Sequence, residues 1–235
     1  MQETPLFRLY GEAPYRVIVL HGGPGAPGCA AGLCRGIAER MGTVEHLQRA
    51  HSAQALCREI AEQIDAHCGG RAAVIGHSYG AWLALMFAEK YPEKTEKAIL
   101  IGCGPLKEEY LPLLLDERRK RREAGLSDTD NFCALPGSGG DMLYFDQAQH
   151  ISLMNEISGM RRSGELLRIA RRVSCPVYAV HGSFDPHPAA GVSGPMAGKE
   201  NFSMTVLERC GHDPWKEKHA REAFFCWLFR MLEGM

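Results

Sequence analysis

The sequence has almost no net charge of either sign. Its 27 Lys and Arg residues nearly balance 28 Asp and Glu residues, which leaves a formal charge of -1 over 235 residues. A chain with so little excess charge has no overall field to attract nucleic acid or an anionic membrane. We therefore expect a small-molecule or short-peptide substrate and neither a nucleic-acid nor a membrane partner. The composition leaves the oligomeric state open.

Long apolar runs are absent as well. A membrane-spanning helix needs about 20 apolar residues, whereas the best candidate, AFFCWLFRML near the end, is short and has charges on both sides. The first residues, MQETPLFRLYGEAPYRV, lack the basic segment and following apolar segment of a secretory signal. These two absences predict a cytoplasmic protein.

The cysteines form no recognisable framework. There are nine, an odd number, with no CxxC pair and no spacing typical of a metal site. We interpret them as reduced thiols, in agreement with a cytoplasmic location. The sequence predicts neither a metal site nor a cofactor.

Short β-branched runs alternate with longer segments of helical period. The runs predicted to be strands include YRVIVLHG from Tyr15, AAVIG from Ala72, KAILIG from Lys97 and CPVYAVHG from Cys175. This alternation favours an α/β fold, with a mostly parallel sheet and helices on both of its faces. We expect LFRLYG, which precedes the first long strand, to pair with it as an edge hairpin.

The alternation stops between Cys103 and Val173. This stretch is charged and helix-prone, is interrupted by LPGSGGD, and is longer than an ordinary connection between two elements. We therefore predict one core, formed by residues 1–102 and 174–235. Residues 103–173 are predicted to form a small helical cap, or lid, inserted into that core.

The motif GHSYG, Gly76 to Gly80, has the pattern G-x-S-x-G. One interpretation is a surface turn that needs small residues. The other is a sharp turn from a strand into a helix, on which Ser78 is held out as a nucleophile. The buried strand predicted before the motif and the helix predicted after it favour the nucleophile.

A serine hydroxyl needs a base to remove its proton, and the base needs a third group to fix its tautomer. His212 follows the last predicted strand in LERCGHDPW, and Asp185 ends the strand before it in GSFDPHP. The order Ser, acid, His is the one expected for this architecture. The alternatives are an aspartate that only initiates a turn and a histidine without a catalytic role. We predict Ser78, Asp185 and His212 as the catalytic residues.

The segment HGGPG, His21 to Gly25, follows the first long strand. Its glycines allow backbone N–H groups to approach a substrate oxygen closely. Gly22 and Gly23 are therefore candidate donors of an oxyanion hole, together with the N–H of Tyr79 at the predicted start of a helix. An ordinary glycine turn is the alternative for HGGPG.

Taken together, HGGPG, GHSYG, GSFDPHP and CGHDPW resemble the motifs of the α/β-hydrolase fold superfamily. HGGPG in particular resembles the branch related to proline iminopeptidases, which release an N-terminal residue from peptides. The resemblance implies a serine hydrolase that cleaves a small ester or amide through an acyl-enzyme. The alternatives are a proline iminopeptidase-like aminopeptidase, a non-hydrolytic enzyme of this fold, and a binding module without activity.

Four further residues are candidates for contact with the substrate. His77 and His187 lie beside proposed catalytic residues and are expected to shape the site. Tyr144 and Phe145 lie in the predicted cap, where they are expected to present an apolar roof to the substrate. The alternative for Tyr144 and Phe145 is packing of the inserted helices onto the core.

Overall fold

The structure is a computed structural model that describes residues 6–126, 131–137 and 141–234. These residues form an alternating series of strands and helices. The strands are β1 (Phe7–Tyr10), β2 (Tyr15–Leu20), β3 (Gly42–His46), β4 (Ala72–His77), β5 (Thr95–Ile101), β6 (Val177–Gly182) and β7 (Phe202–Leu207). The helices are α1 (Ala31–Ile37), α2 (Ala53–His67), α3 (Tyr79–Lys90), α4 (Leu111–Glu123), α5 (Gln147–Arg162), α6 (Glu165–Arg172), α7 (Ala190–Met196) and α8 (Arg221–Glu233).

These strands form one sheet in the order β1-β3-β2-β4-β5-β6-β7. Strand β1 is antiparallel to β3, and the other neighbouring pairs are parallel. Apolar cores lie on both faces of the sheet. The α/β fold with a mostly parallel sheet and helices on both faces is therefore confirmed.

Strand β2 shows how the two cores share the sheet. Ile18 and Leu20 lie in the core that contains α2 and α3, whereas Val17 and Val19 lie in the core that contains α1 and α8. Successive side chains of a strand point to opposite faces. Because both faces are buried, the central strands are nearly continuous apolar runs rather than alternating ones.

The edge hairpin predicted for LFRLYG does not form. Strand β1 pairs with β3, with Phe7 opposite His46 and Arg8 opposite Glu45, and β2 lies on the other side of β3. Both edges of β2 are occupied by parallel neighbours, so β1 extends the sheet at the far edge of β3. The hydroxyl of Tyr10 strengthens this pairing by donating to the buried Glu45 carboxylate at 2.7 Å.

The carboxyl ends of β2, β4, β6 and β7 lie at one edge of the sheet because these strands are parallel. HGGPG, Ser78, Asp185 and His212 follow these strands in turn. Ligands of open α/β sheets bind at this edge. The fold thus brings the predicted motifs together although they are far apart in the sequence.

The region predicted as a cap contains α4, α5 and α6. Residues 127–130 and 138–140 of the predicted cap lie outside the described residues. Leu166 and Ile169 of α6 are buried in the core that also contains α3. No helix in the described part of the chain has both the length and the apolar character needed to cross a membrane.

Candidate active site

Ser78 occupies a strained turn between β4 and α3, with φ 54° and ψ -114°. These angles correspond to the first central residue of a type II′ turn, a position normally held by glycine. The flanking glycines are needed because the chain is crowded. A Cβ atom on Gly76 would lie 2.0 Å from the carbonyl oxygen of Gly80, and one on Gly80 would lie 2.1 Å from that of Leu20. The glycines of GHSYG thus allow the strand, the turn and the helix to pack in direct contact.

The turn exposes Ser78 to a cavity of about 460 Å³, which His212 also lines. This volume is within the range of small-molecule sites. The backbone N–H of Ser78 donates to the carbonyl of Ile101 on β5 at 2.8 Å, which ties the turn to the sheet. The strained residue is therefore held by the central strands rather than by a loose loop.

His212 and Asp185 are joined by a buried hydrogen bond of 2.9 Å between Nδ1 and Oδ2. Burial alone would raise the pKa of Asp185, but the charge of His212 and hydrogen bonds from His187 and His212 outweigh it and hold the pKa well below its usual range. The ionised carboxylate can only accept a hydrogen bond, so Nδ1 of His212 carries a proton. In a neutral imidazole the lone pair is then on Nε2.

Gly102, which the sequence did not single out, lies directly under this pair. Its φ is +56°, and a Cβ atom there would come within 2.7 Å of His212 Nδ1 and 3.0 Å of Asp185 Oδ2. A residue without a side chain is thus required where β5 ends. The glycine of KAILIG was the available signal, but nothing local connected it with His212.

His187 binds the other oxygen of the same carboxylate. Its backbone N–H donates to Asp185 Oδ1 at 2.9 Å, and its Nδ1 lies 2.9 Å from that atom. Its ring also stacks on that of His212, with centroids 4.5 Å apart. Burial, followed by the neighbouring His212, lowers the pKa of His187. His187 therefore braces both members of the pair.

The ligand atoms of Asp185, His187 and His212 lie within 4.8 Å of one another, close enough to hold a metal ion together. Both carboxylate oxygens, however, already accept a hydrogen bond from an imidazole. We interpret the cluster as a hydrogen-bonded network.

His77 supports the backbone of the loop that carries His212. Its Nε2 lies 3.1 Å from the carbonyl oxygen of His212, and since a carbonyl only accepts, Nε2 is the protonated nitrogen. The same atom lies 3.3 Å from a carboxylate oxygen of Asp213. Burial lowers the pKa of His77 to about 3. His77 also lines the cavity.

The HGGPG loop lies beside the serine. A Cβ atom on Gly22 would be 2.9 Å from the Cβ of Ser78. His21 is fully buried, and burial lowers its pKa to about 4. Its Nε2 accepts from the N–H of Gln48 at 3.3 Å, so its Nδ1 donates to the carbonyl of Gly22 at 2.9 Å. The carbonyl of Gly22 and the N–H of Gly23 belong to the same peptide group, and in a trans peptide they point in opposite directions. Because His21 holds the carbonyl, it also fixes the direction of the Gly23 N–H.

Gly22, Gly23 and Tyr79 all line the cavity. Tyr79 is the first residue of α3, and the first N–H groups of a helix have no partner within the helix. The helix dipole adds partial positive charge at the same end. Backbone donors from two separate segments thus lie near Ser78.

Tyr144 and Phe145 are not brought to the cavity. They are 38% and 53% exposed and do not line it. The segment that contains them lies against the outer side of the HGGPG loop, where Asp146 N donates to the carbonyl of Gly25 at 2.7 Å. The outer wall of the cavity is instead formed by α4 and α5 and includes Leu114, Arg118, His150, Met154 and Arg161.

A family model described as the alpha/beta hydrolase family matches residues 4–225. This match spans nearly the whole sequence, and the chain belongs to the alpha/beta hydrolase family. No curated protein sequence matches it. The branch related to proline iminopeptidases stays a prediction.

Solved structures of low sequence identity share the fold. E-2-(acetamidomethylene)succinate hydrolase is 18% identical, with a TM-score of 0.71 over 97% of this chain and 94% of that one. 2-hydroxy-6-oxo-6-phenylhexa-2,4-dienoate hydrolase from Rhodococcus sp. strain RHA1 is 21% identical, with a TM-score of 0.68 over 97% and 94%. A monoacylglycerol lipase from Paleococcus ferrophilus is 15% identical, with a TM-score of 0.66 over 96% and 97%. Likeness at this level of identity is evidence of the fold.

Proposed function

We propose that this protein is a serine hydrolase that cleaves a small ester or amide through an acyl-enzyme. The observation that carries the proposal is the strained turn of Ser78, which opens onto the same cavity as a histidine hydrogen-bonded to a buried carboxylate. Backbone strain concentrates at functional sites. Ser78 keeps a hydroxyl at a position where glycine would be relaxed, and it lines the same cavity as His212.

In the proposed reaction, Ser78 Oγ attacks the acyl carbon while Nε2 of His212 takes the hydroxyl proton. Asp185 stays ionised and stabilises the imidazolium that forms. The N–H of Tyr79, with that of Gly22 or Gly23, donates to the oxyanion. His212 then protonates the leaving alcohol or amine, and a water molecule, activated by the same histidine, releases the acid and restores Ser78.

We further propose that residues 103–173 act as the cap of a core formed by residues 1–102 and 174–235. Support comes from the outer wall of the cavity, which α4 and α5 provide with side chains such as Leu114 and Met154. Caps of this kind commonly set substrate specificity while the core supplies the chemistry. His77 and His187 are proposed to shape the site from the core side.

Aminopeptidase activity has less support. An aminopeptidase must neutralise the terminal ammonium of its substrate, usually with carboxylates of the lid. The acidic candidates in the cap are Glu108, Glu109, Asp116, Asp146 and Glu156. None of these five lines the cavity in the described structure, and two arginines do. This lining favours an ester or amide substrate without a free ammonium group.

A fluorophosphonate probe, which labels an activated serine, tests the proposal. We expect labelling of the wild-type protein and of Ser203→Ala, a control serine that is exposed on β7, but not of Ser78→Ala. Turnover of p-nitrophenyl acetate should follow the same pattern and exceed that of proline p-nitroanilide. Labelling without ester turnover would favour a non-hydrolytic enzyme of this fold. Absence of labelling would favour a binding module.

A further inference from the structure

Two arginines from different helices of the predicted cap line the cavity. Arg118 belongs to α4 and Arg161 to α5. Among the described residues that line the cavity, none is an aspartate or a glutamate. Burial lowers the pKa of His77 and His187, so these two neighbours are neutral at pH 7. The fixed charge on the cavity wall is therefore positive.

Arg161 is buried but not fully paired. Its side chain is 5% exposed, and its guanidinium lies over the ring of Trp82 at 5.5 Å from the centroid. Nε donates to Glu108 at 3.3 Å, and the Glu108 side chain is 49% exposed. No further hydrogen bond of the guanidinium is found within the described residues. The terminal N–H groups are thus available to bind a ligand in the cavity.

Arg118 adds a second guanidinium to the lining of the cavity. It is half-buried, and in the described part of the chain its guanidinium makes neither a hydrogen bond nor an ion pair. Burial and the neighbouring His212 lower the pKa of His187, and the charge of Arg118 lowers it further. Arg118 is therefore close enough to His187 to act on it electrostatically.

A purely structural role accounts poorly for this arrangement. A structural arginine in a protein interior normally has its donors paired, because desolvation of an uncompensated charge is costly. Buried Arg121 of the same helix has two of its three guanidinium nitrogens paired: Nε donates to Glu117 at 2.9 Å, and a terminal nitrogen donates to the carbonyl oxygen of Phe184. The guanidinium of Arg118 and the terminal N–H groups of Arg161 instead have no hydrogen-bond partner among the described residues, and both side chains line the cavity.

We propose that Arg118 and Arg161 bind a carboxylate group of the substrate. A guanidinium presents two parallel N–H groups that match the two oxygens of a carboxylate. The proposal rests on the proposed function and narrows it to esters or amides that carry a carboxylate at a distance from the acyl carbon. A half-ester of a dicarboxylic acid is the simplest substrate of this class.

Binding of glutarate, measured by calorimetry, tests the proposed anion subsite without requiring catalysis. Arg118→Gln and Arg161→Gln should each weaken binding by about 10- to 100-fold, the size expected for the loss of one hydrogen bond to a charged group. Arg122→Gln, which removes the same charge from an exposed position of α4, should leave it unchanged. If Arg161→Gln does not fold, glutarate binding is measured with Arg161→Lys and Arg118→Gln instead.

Kinetics then identify the part of the substrate that holds the carboxylate. Mono-p-nitrophenyl glutarate carries it on the acyl side and 4-acetoxybenzoate on the leaving group, and the methyl ester of each compound is the uncharged control. We expect wild-type kcat/KM to favour one of the two anions over its methyl ester by about tenfold or more. Either arginine variant should reduce that ratio, whereas Arg122→Gln should not.

The outcomes separate the two proposals. If fluorophosphonate labels Ser78 but neither anionic ester is preferred and glutarate does not bind, the anion subsite is refuted and the proposed hydrolase stands. If glutarate binds through the two arginines but Ser78 is not labelled, the anion subsite stands and the hydrolase is refuted. Tighter binding of inorganic phosphate than of glutarate would overturn the assignment to a carboxylate.

Discussion

Replacing Ser78 by glycine should stabilise the protein while abolishing the proposed activity. Ser78 has φ 54° and ψ -114°, angles at which a side chain on Cα is strained and glycine is relaxed. Such strain costs about 1 to 3 kcal/mol. Ser78→Gly removes both the strain and the hydroxyl, whereas Ser78→Ala removes the hydroxyl and keeps a Cβ atom in the same conformation.

The expected difference between the two variants follows from opposing effects. Relief of strain favours Ser78→Gly by about 1 to 3 kcal/mol. The greater freedom of glycine in the unfolded chain opposes it by about 0.4 to 1 kcal/mol. A net gain of about 1 kcal/mol should remain. For a chain of this size, 1 kcal/mol corresponds to a rise in Tm of roughly 2 to 4 °C.

Thermal unfolding followed by circular dichroism, together with urea titration, measures this difference. Arg209 also has a φ of 54°, so Arg209→Gly against Arg209→Ala should give a difference of the same sign outside the cavity. Equal stability of Ser78→Gly and Ser78→Ala, with the expected difference present at Arg209, would refute the claim that the serine turn stores strain. It would also remove the argument that serine is retained there against its conformational preference.

Three further predictions follow from the site. Ser78→Ala and His212→Ala should each lower kcat by about 10⁴ or more, with little extra loss in the double variant, because members of a triad act as a unit; additive losses would contradict the triad. The rise of kcat/KM with pH should follow the loss of a single proton, from His212. The two neighbouring histidines should not contribute, because burial and the nearby His212 lower the pKa of His77 to about 3 and also lower the pKa of His187, so that both are neutral. A rise that requires the loss of two protons would contradict this prediction. Glu217→Gln should reduce the free energy of unfolding in urea by about 2 kcal/mol, because the buried Glu217 carboxylate accepts three backbone N–H groups at 2.6, 2.7 and 2.8 Å; a change below about 0.5 kcal/mol, the usual scatter of surface substitutions, would show that these bonds are not stabilising.

Much of the architecture was predictable because it depends on local patterns. The strand runs that begin at Tyr15 and Cys175, and the helical period of the longer segments between such runs, are properties of neighbouring residues. Their alternation favours a parallel sheet. The pairing of β1 was not predictable in this way. LFRLYG has the character of a strand, but its partner was decided by which sheet edge the rest of the chain left open.

The same distinction between local patterns and tertiary contacts applies to the site. Ser78, Asp185 and His212 each follow a predicted strand, so the parallel sheet alone implied that they lie at one edge, and their catalytic roles stay predictions. The structure added the contacts among them: the bond between His212 and Asp185, and the bond of His187 to the second carboxylate oxygen. The buried Glu217 was missed because two of its three backbone partners, Phe132 and Cys133, are distant in the sequence.

The sequence by itself determined which segments form strands and helices, and which motifs follow the strand ends, because turn chemistry and side-chain period act between near neighbours. Tertiary structure alone decided the lining of the cavity. Tyr144 and Phe145 are apolar but exposed, whereas Arg118 and Arg161, within stretches that resemble solvated helix faces, line the cavity. The direction of a helical side chain depends on how its helix is rotated against the core, and that rotation is set by packing against residues that are distant in the sequence.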